Sequence, residues 1–140
     1  MDRNLILKLL SRMTEYISDL QSFEGVPWLA YSASHRDQML VERALHLLIE
    51  SACSINTHLL VDAGFTPPDS YADSFKKAAE HKFISTELSL RLVPSAKFRN
   101  VLVHRYVDLD GKLVYDSIPH AVKDYRQYMM EVTGLFDRKL

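Results

Sequence analysis

Apolar residues recur along the chain at steps of three and four. Ile6, Leu9, Met13, Ile17 and Leu20 form one such stripe and predict an amphipathic helix over about Asp2 to Leu20. Gln21 to Ala33 contains Gly25 and Pro27 and reads as a loop. Ser34-His35-Arg36-Asp37 has the Ser-x-x-Asp form of a helix-capping signal. The helix it opens carries Leu40, Ala44, Leu48, Ala52, Ile55 and Leu59. It should stop at Ala63-Gly64, with Gly64 as a left-handed cap and Pro67-Pro68 beyond. This helix is apolar around more than one face, so it is either central or turned towards a partner subunit. A short helix is predicted over about Ser70 to Glu80, and another helical region from about Ser85 to Tyr106. Pro94 should kink or split that region, with Ser95 free to cap the second piece. Asp108 to Gly111 reads as a turn, and Lys112 to Tyr115 is too short to count as a strand. The last helix, about Ser117 to Asp137, carries Ile118, Val122, Tyr125, Met129, Val132 and Phe136. The pattern as a whole predicts an all-α, up-and-down bundle of about five helices.

Composition narrows the function classes. The 140 residues amount to one domain, residues 1–140, and the 47% hydrophobic content can fill its core. Lys and Arg total 17 against 18 Asp and Glu, a net charge of −1, which excludes a generally basic nucleic-acid binder. A single cysteine, Cys53, excludes an intramolecular disulfide framework and a Cys-rich zinc module; mid-helix, it reads as a buried, inert thiol. The N-terminus lacks a signal peptide's apolar stretch, and no uninterrupted apolar run approaches a membrane span. The expectation is a cytoplasmic protein with no membrane contact.

Metal and cofactor chemistry finds little footing. A di-iron bundle needs Glu-x-x-His on two helices, but no histidine here has an acidic residue three positions before it. His46/Glu50 and His58/Asp62 are i,i+4 pairs, which read as hydrogen-bonded pairs rather than metal ligands. Four glycines give no phosphate-cradling loop. No metal and no cofactor are expected.

The segment Phe98 to Tyr106 is different. It crowds Arg99, Asn100, His104, Arg105 and Tyr106 at one helix end, and Asn100 and His104 share a face. From Leu88 to Val107 there is no acidic residue, while Arg91, Lys97, Arg99 and Arg105 contribute a local charge of +4. A guanidinium beside an imidazole suits phosphodiester chemistry. Arginine can hold a phosphate and stabilise developing charge, and histidine can move protons to and from ribose oxygens. The plainer alternative is a solvated basic helix end, where His104 and Arg105 favour the C-terminal dipole.

Arg99-x4-His104-x-Tyr106 resembles the R-x4-6-H-x-Y motif of the HEPN superfamily. Other resembling stretches are Val41 to Leu45, Asn56-x-His58-Leu59-Leu60, Pro67-Pro68-x-Ser70-Tyr71 and Phe98 to His104. They occur in family order over roughly residues 3–136, and the chain is similar to the HepT-like ribonuclease branch. The resemblance implies a HEPN-like homodimer whose two motifs face each other across a cleft. It implies metal-independent cleavage of RNA with Arg99 and His104 catalytic, and Asn100 and Arg105 supporting RNA binding. It also implies a toxin–antitoxin pair whose partner is a minimal nucleotidyltransferase (MNT) antitoxin. Tyr106 matches the tyrosine that such a partner modifies with AMP. The alternatives are a non-catalytic HEPN module that docks a nucleotidyltransferase or nucleic acid, and a structural helical dimer with a basic patch.

Overall fold

The computed structural model describes residues 2–103 and 110–138, the side chains of 103 and 138 excepted. Among the described residues there are six helices and no strand: α1 (Arg3–Gln21), α2 (Trp28–Ala33), α3 (His35–Asp62), α4 (Tyr71–Glu80), α5 (Thr86–Val103) and α6 (Gly111–Arg138). The helix starts follow their local chemistry. Asp2 caps α1 by accepting from the Leu5 amide at 3.0 Å. Ser34 Oγ accepts from Asp37 N at 3.2 Å, as the capping signal predicts, and Ser70 Oγ accepts from Asp73 N at 3.0 Å. The end of α3 is also as predicted. Gly64 takes φ +92°, and Phe65 N reaches back to Leu60 O at 2.9 Å.

Helix α3 packs against all five other helices, so it is central to the bundle. Its Val41, Leu45, Leu48, Ile49, Ala52, Ile55 and Leu59 are buried. Around it, α1 contributes Ile6, Met13, Ile17 and Leu20, and α6 contributes Val114, Ile118, Val122, Tyr125, Tyr128 and Val132. Helix α3 is long and apolar enough to span a membrane by length and composition, with mean hydropathy 1.3 over its best window. However, 61% of that window is buried inside the protein, as suits a core helix.

Three expectations need correction. The stretch Gln21 to Ala33 is not all loop: Trp28–Ala33 form α2, starting directly after Pro27. A six-residue helix has too little propensity to stand alone, and tertiary contact supplies the rest. Tyr31 is fully buried, and Phe23, Trp28, Tyr31 and Tyr115 form an aromatic cluster with ring centroids 5.2–6.5 Å apart. Helix α5 is one helix through Pro94, so of the expected kink or split the split does not occur. Ser95 does not cap a second piece; its hydroxyl donates to Leu92 O at 2.6 Å and meets the Tyr125 hydroxyl at 2.6 Å. An interior proline costs about 3 kcal/mol, and burial of Leu88, Leu92, Ala96 and Leu102 on one face of α5 offsets it. Helix α6 begins at Gly111, six residues before the expected start. Asp110 Oδ1 accepts from the amides of Lys112 and Leu113 at 3.0 and 3.2 Å, and Tyr115 donates to Val26 O. The Lys112 to Tyr115 segment is therefore helical.

Candidate active site

Helix α5 carries the motif arginine into the bundle. Arg99 rises from the side of α5 that buries Leu92, Ala96 and Leu102, so its side chain lies against protein and is only 14% exposed. Three elements hold it. Helix α3 offers Glu50, whose Oε2 accepts from Arg99 Nη2 at 3.2 Å. The first residue of α4, Tyr71, places its ring under the guanidinium, with Cζ 4.4 Å from the ring centroid. The neighbouring Asn100 Oδ1 accepts from Nη1 at 3.4 Å. The Arg99 Nε is buried and has no hydrogen-bond partner among the described residues. The stretch Pro67-Pro68-x-Ser70-Tyr71 thereby acquires a physical role. It ends α3's exit and caps α4 so that Tyr71 meets the guanidinium.

Sequence reasoning missed Glu50 and Tyr71 as parts of this site. Glu50 lies 49 positions before Arg99 and belongs to a helix read as core. The signal that could have found it is the i,i+4 pairing of His46 with Glu50 in the sequence. His46 Nε2 lies 2.7 Å from Glu50 Oε2, off the ring N–H axis, and His46 Nδ1 lies 3.5 Å from Arg43 Nη1. Burial would push the Glu50 carboxyl up, but the hydrogen bond from Arg99 and the adjacent His46 ring outweigh it and hold the pKa below the ordinary value.

The remaining motif residues, His104, Arg105 and Tyr106, lie outside the described residues, immediately beyond the described end of α5. Arg99 and Asn100 are the two predicted site residues the structure brings together.

The acid-free stretch is not a bare positive patch. Acids from elsewhere in the fold meet it. Arg91 Nε donates to Asp124 Oδ1 at 3.1 Å, and its Nη1 pairs with Glu87 at 3.2 Å. Glu50 pairs with Arg99. A cleft of about 340 Å³ between α3, α5 and α6 is lined by Leu45, Ile49, Phe98, Leu113 and Tyr125. It is largely apolar, with Arg91, His120 and Asp124 also on its lining, and Arg99 is not among the residues that line it. Cys53 is buried and its thiol is pushed up to about 12, chiefly by burial, in keeping with an inert thiol. Among the described residues no three His, Cys, Asp or Glu side chains cluster as metal ligands would.

A family model described as ribonuclease HepT-like matches residues 13–132. The chain belongs to the HepT-like ribonuclease family. By that membership it is an endoribonuclease. The tRNA nuclease HepT of Aphanizomenon flos-aquae is 29% identical to this HepT-like chain over 128 residues, 91% of it and 85% of the relative. The mRNA nuclease HepT of Shewanella oneidensis is 29% identical over 80 residues, 57% of this chain and 60% of the relative. Among solved structures, the tri-AMPylated HEPN toxin of Shewanella oneidensis in complex with its MNT antitoxin superposes with a TM-score of 0.86. It is 23% identical, with 96% of this chain and 99% of that one covered. A cytosolic protein of unknown function from Bacillus subtilis, YutE, matches with a TM-score of 0.86 at 20% identity, covering 100% and 94%. At such identities the structures establish the fold, and the bundle is a HEPN fold.

Proposed function

We propose that this HepT-like chain is the toxin of a HEPN/MNT toxin–antitoxin pair and cleaves RNA without a metal, with Arg99 and His104 as its catalytic residues. The observation that carries the reading is the restrained guanidinium of Arg99. It lies over the Tyr71 ring, is tied to Glu50, and stands five residues before His104 in the sequence. A guanidinium fixed in advance loses little freedom on meeting a phosphate and can neutralise charge as it develops on the phosphoryl oxygens. His104 takes the proton from a ribose 2′-OH as that oxygen bonds to phosphorus. The bond from phosphorus to the 5′ oxygen breaks, and a proton is delivered to the leaving oxygen. Asn100, exposed beside Arg99, and Arg105 contact the RNA backbone. The chain acts as a cytoplasmic homodimer, which doubles these cations in one cleft and makes RNA binding compatible with a net charge of −1.

Control falls to an MNT-type nucleotidyltransferase partner. The Tyr106 phenolic oxygen attacks the α-phosphorus of ATP, pyrophosphate leaves, and the bound AMP blocks the cleft. Incubation of the Tyr106→Phe protein with the partner and ATP should leave its mass unchanged, whereas wild type should gain AMP units. A full mass gain in the variant would place the modification elsewhere.

One observation favours a second reading, a non-catalytic module that binds the partner or nucleic acid. Glu50 already occupies one edge of Arg99, and a phosphate must compete with it. A cleavage assay in the presence of a chelator separates the two. Cleavage supports the nuclease, and RNA retention without cleavage supports the module.

A further inference from the structure

His46 belongs to no motif and has no part in the chemistry above, yet its contacts lead to the site. Its imidazole sits one helical turn before Glu50 on α3, only 17% exposed. On one side, Arg43 Nη1 approaches Nδ1 at 3.5 Å. A guanidinium has only donors, so Nδ1 is the acceptor and the ring proton sits on Nε2. On the other side, Nε2 lies 2.7 Å from Glu50 Oε2, off the ring N–H axis, so the imidazole confines that oxygen by close contact rather than by an aligned hydrogen bond. That same oxygen accepts from Arg99 Nη2 at 3.2 Å. A single carboxylate oxygen is thus shared between the imidazole and the guanidinium.

Glu50 needs such a restraint. Its side chain is 45% exposed and has three rotatable bonds, so nothing in its own burial prevents it from swinging into water. Tyr71 limits the guanidinium only from one face, since stacking leaves rotation within the ring plane free. The in-plane orientation of Arg99 is set by Glu50 Oε2 at 3.2 Å on Nη2, with the neighbouring Asn100 Oδ1 at 3.4 Å on Nη1.

We propose that His46 is a positioning residue of the site: it pins Glu50, and through Glu50 it sets the in-plane orientation of the Arg99 guanidinium that receives the scissile phosphate. The proposal rests on the reading of Arg99 as the phosphate-binding group. Arg43 is the outer member of the chain, fixing the ring tautomer. His46 itself touches no substrate.

The test uses the full-length protein with His46→Leu, which keeps the apolar packing, and His46→Gln, whose amide can donate to Glu50. Two quantities are read. The first is cleavage of RNA, as kcat and KM, in wild-type and Glu50→Gln backgrounds. The second is the rotation rate of the Arg99 guanidinium about Cζ–Nε by nuclear magnetic resonance. His46→Leu should lower kcat about tenfold with KM nearly unchanged, as a misoriented catalytic group does. His46→Gln should recover most of that loss. In the Glu50→Gln background His46→Leu should cost less than about twofold, because the two act as one unit. Guanidinium rotation should be faster in His46→Leu and close to wild type in His46→Gln. An unchanged rotation rate in His46→Leu overturns the proposal, and so does an equal kcat loss in both backgrounds. If wild type cleaves no RNA, the nuclease reading falls, while the rotation measurement still decides whether His46 positions Arg99.

Discussion

Two polar clusters hang from α3 six residues apart, and they are built to opposite ends. Around Asn56 every group is closed off. The Tyr128 hydroxyl donates to Asn56 Oδ1 at 2.6 Å and lies 3.0 Å from Ala52 O. Asn56 Nδ2 donates to Ser74 Oγ at 3.2 Å, and Ser74 Oγ donates to Tyr71 O at 2.7 Å. Asn56 and Tyr128 are both fully buried. Around Glu50 the cluster is open. The carboxylate is half exposed, and Asn100 faces water. A closed buried network stabilises and specifies a fold, because each member would cost free energy if left alone. An open one retains bonding capacity for something that arrives later. The first turn of α4 joins them: Ser74 ends the closed network on the carbonyl of Tyr71, whose ring carries Arg99. The core network thus anchors the platform on which the site rests.

The comparison breaks most visibly at Arg99. Arg99→Ala should reduce RNA cleavage about a thousandfold, the scale of removing a preorganised charge stabiliser, with little change in the urea midpoint. Its partner Glu50 is solvated enough to tolerate the loss. A large fall in midpoint would mean that the open cluster is also structural. Tyr128→Phe should do the reverse. It strips the donor from a buried Asn56 and should cost about 1–3 kcal/mol of stability in urea unfolding, with cleavage retained below the transition. Glu50→Gln keeps the shape but removes the charge and should slow cleavage about tenfold. The same carboxylate carries a pH signature. Its folded pKa is lowered, so its hold on Arg99 is fully present above the ordinary 4.5 and is lost only as pH falls through the lower folded value. Loosening of the Arg99 guanidinium already above 4.5, read by nuclear magnetic resonance, would contradict that direction. The smallest effect is expected at Cys53. With a thiol pushed up to about 12, it should resist alkylation at neutral pH until the protein unfolds.

Much of this was written in local pattern. The stripes of α1, α3 and α6, the Ser34 cap and the Gly64 stop are all short-range chemistry and stand largely where their residues point, although Leu40 of the α3 stripe is exposed. The departures are tertiary. Helix α2 exists because Tyr31 is buried among aromatic rings from α6 and the preceding loop, which no window around Gly25 and Pro27 reveals. Helix α5 survives Pro94 because its buried face is packed on both sides of the proline. In the site, the residue types near Arg99 announced phosphate chemistry, but their electrostatics did not. The acids that balance Arg91 and Arg99 include Asp124 from α6 and Glu50 from α3. A local charge count along one helix has no access to charges folded against it.

The central claim is that Arg99 and His104 together cleave RNA, and the most direct measurement is cleavage by wild type and His104→Ala with a chelator present. Wild type should cleave with metal withheld, and a correctly folded His104→Ala protein should not. Cleavage by the variant at the wild-type rate would contradict the account.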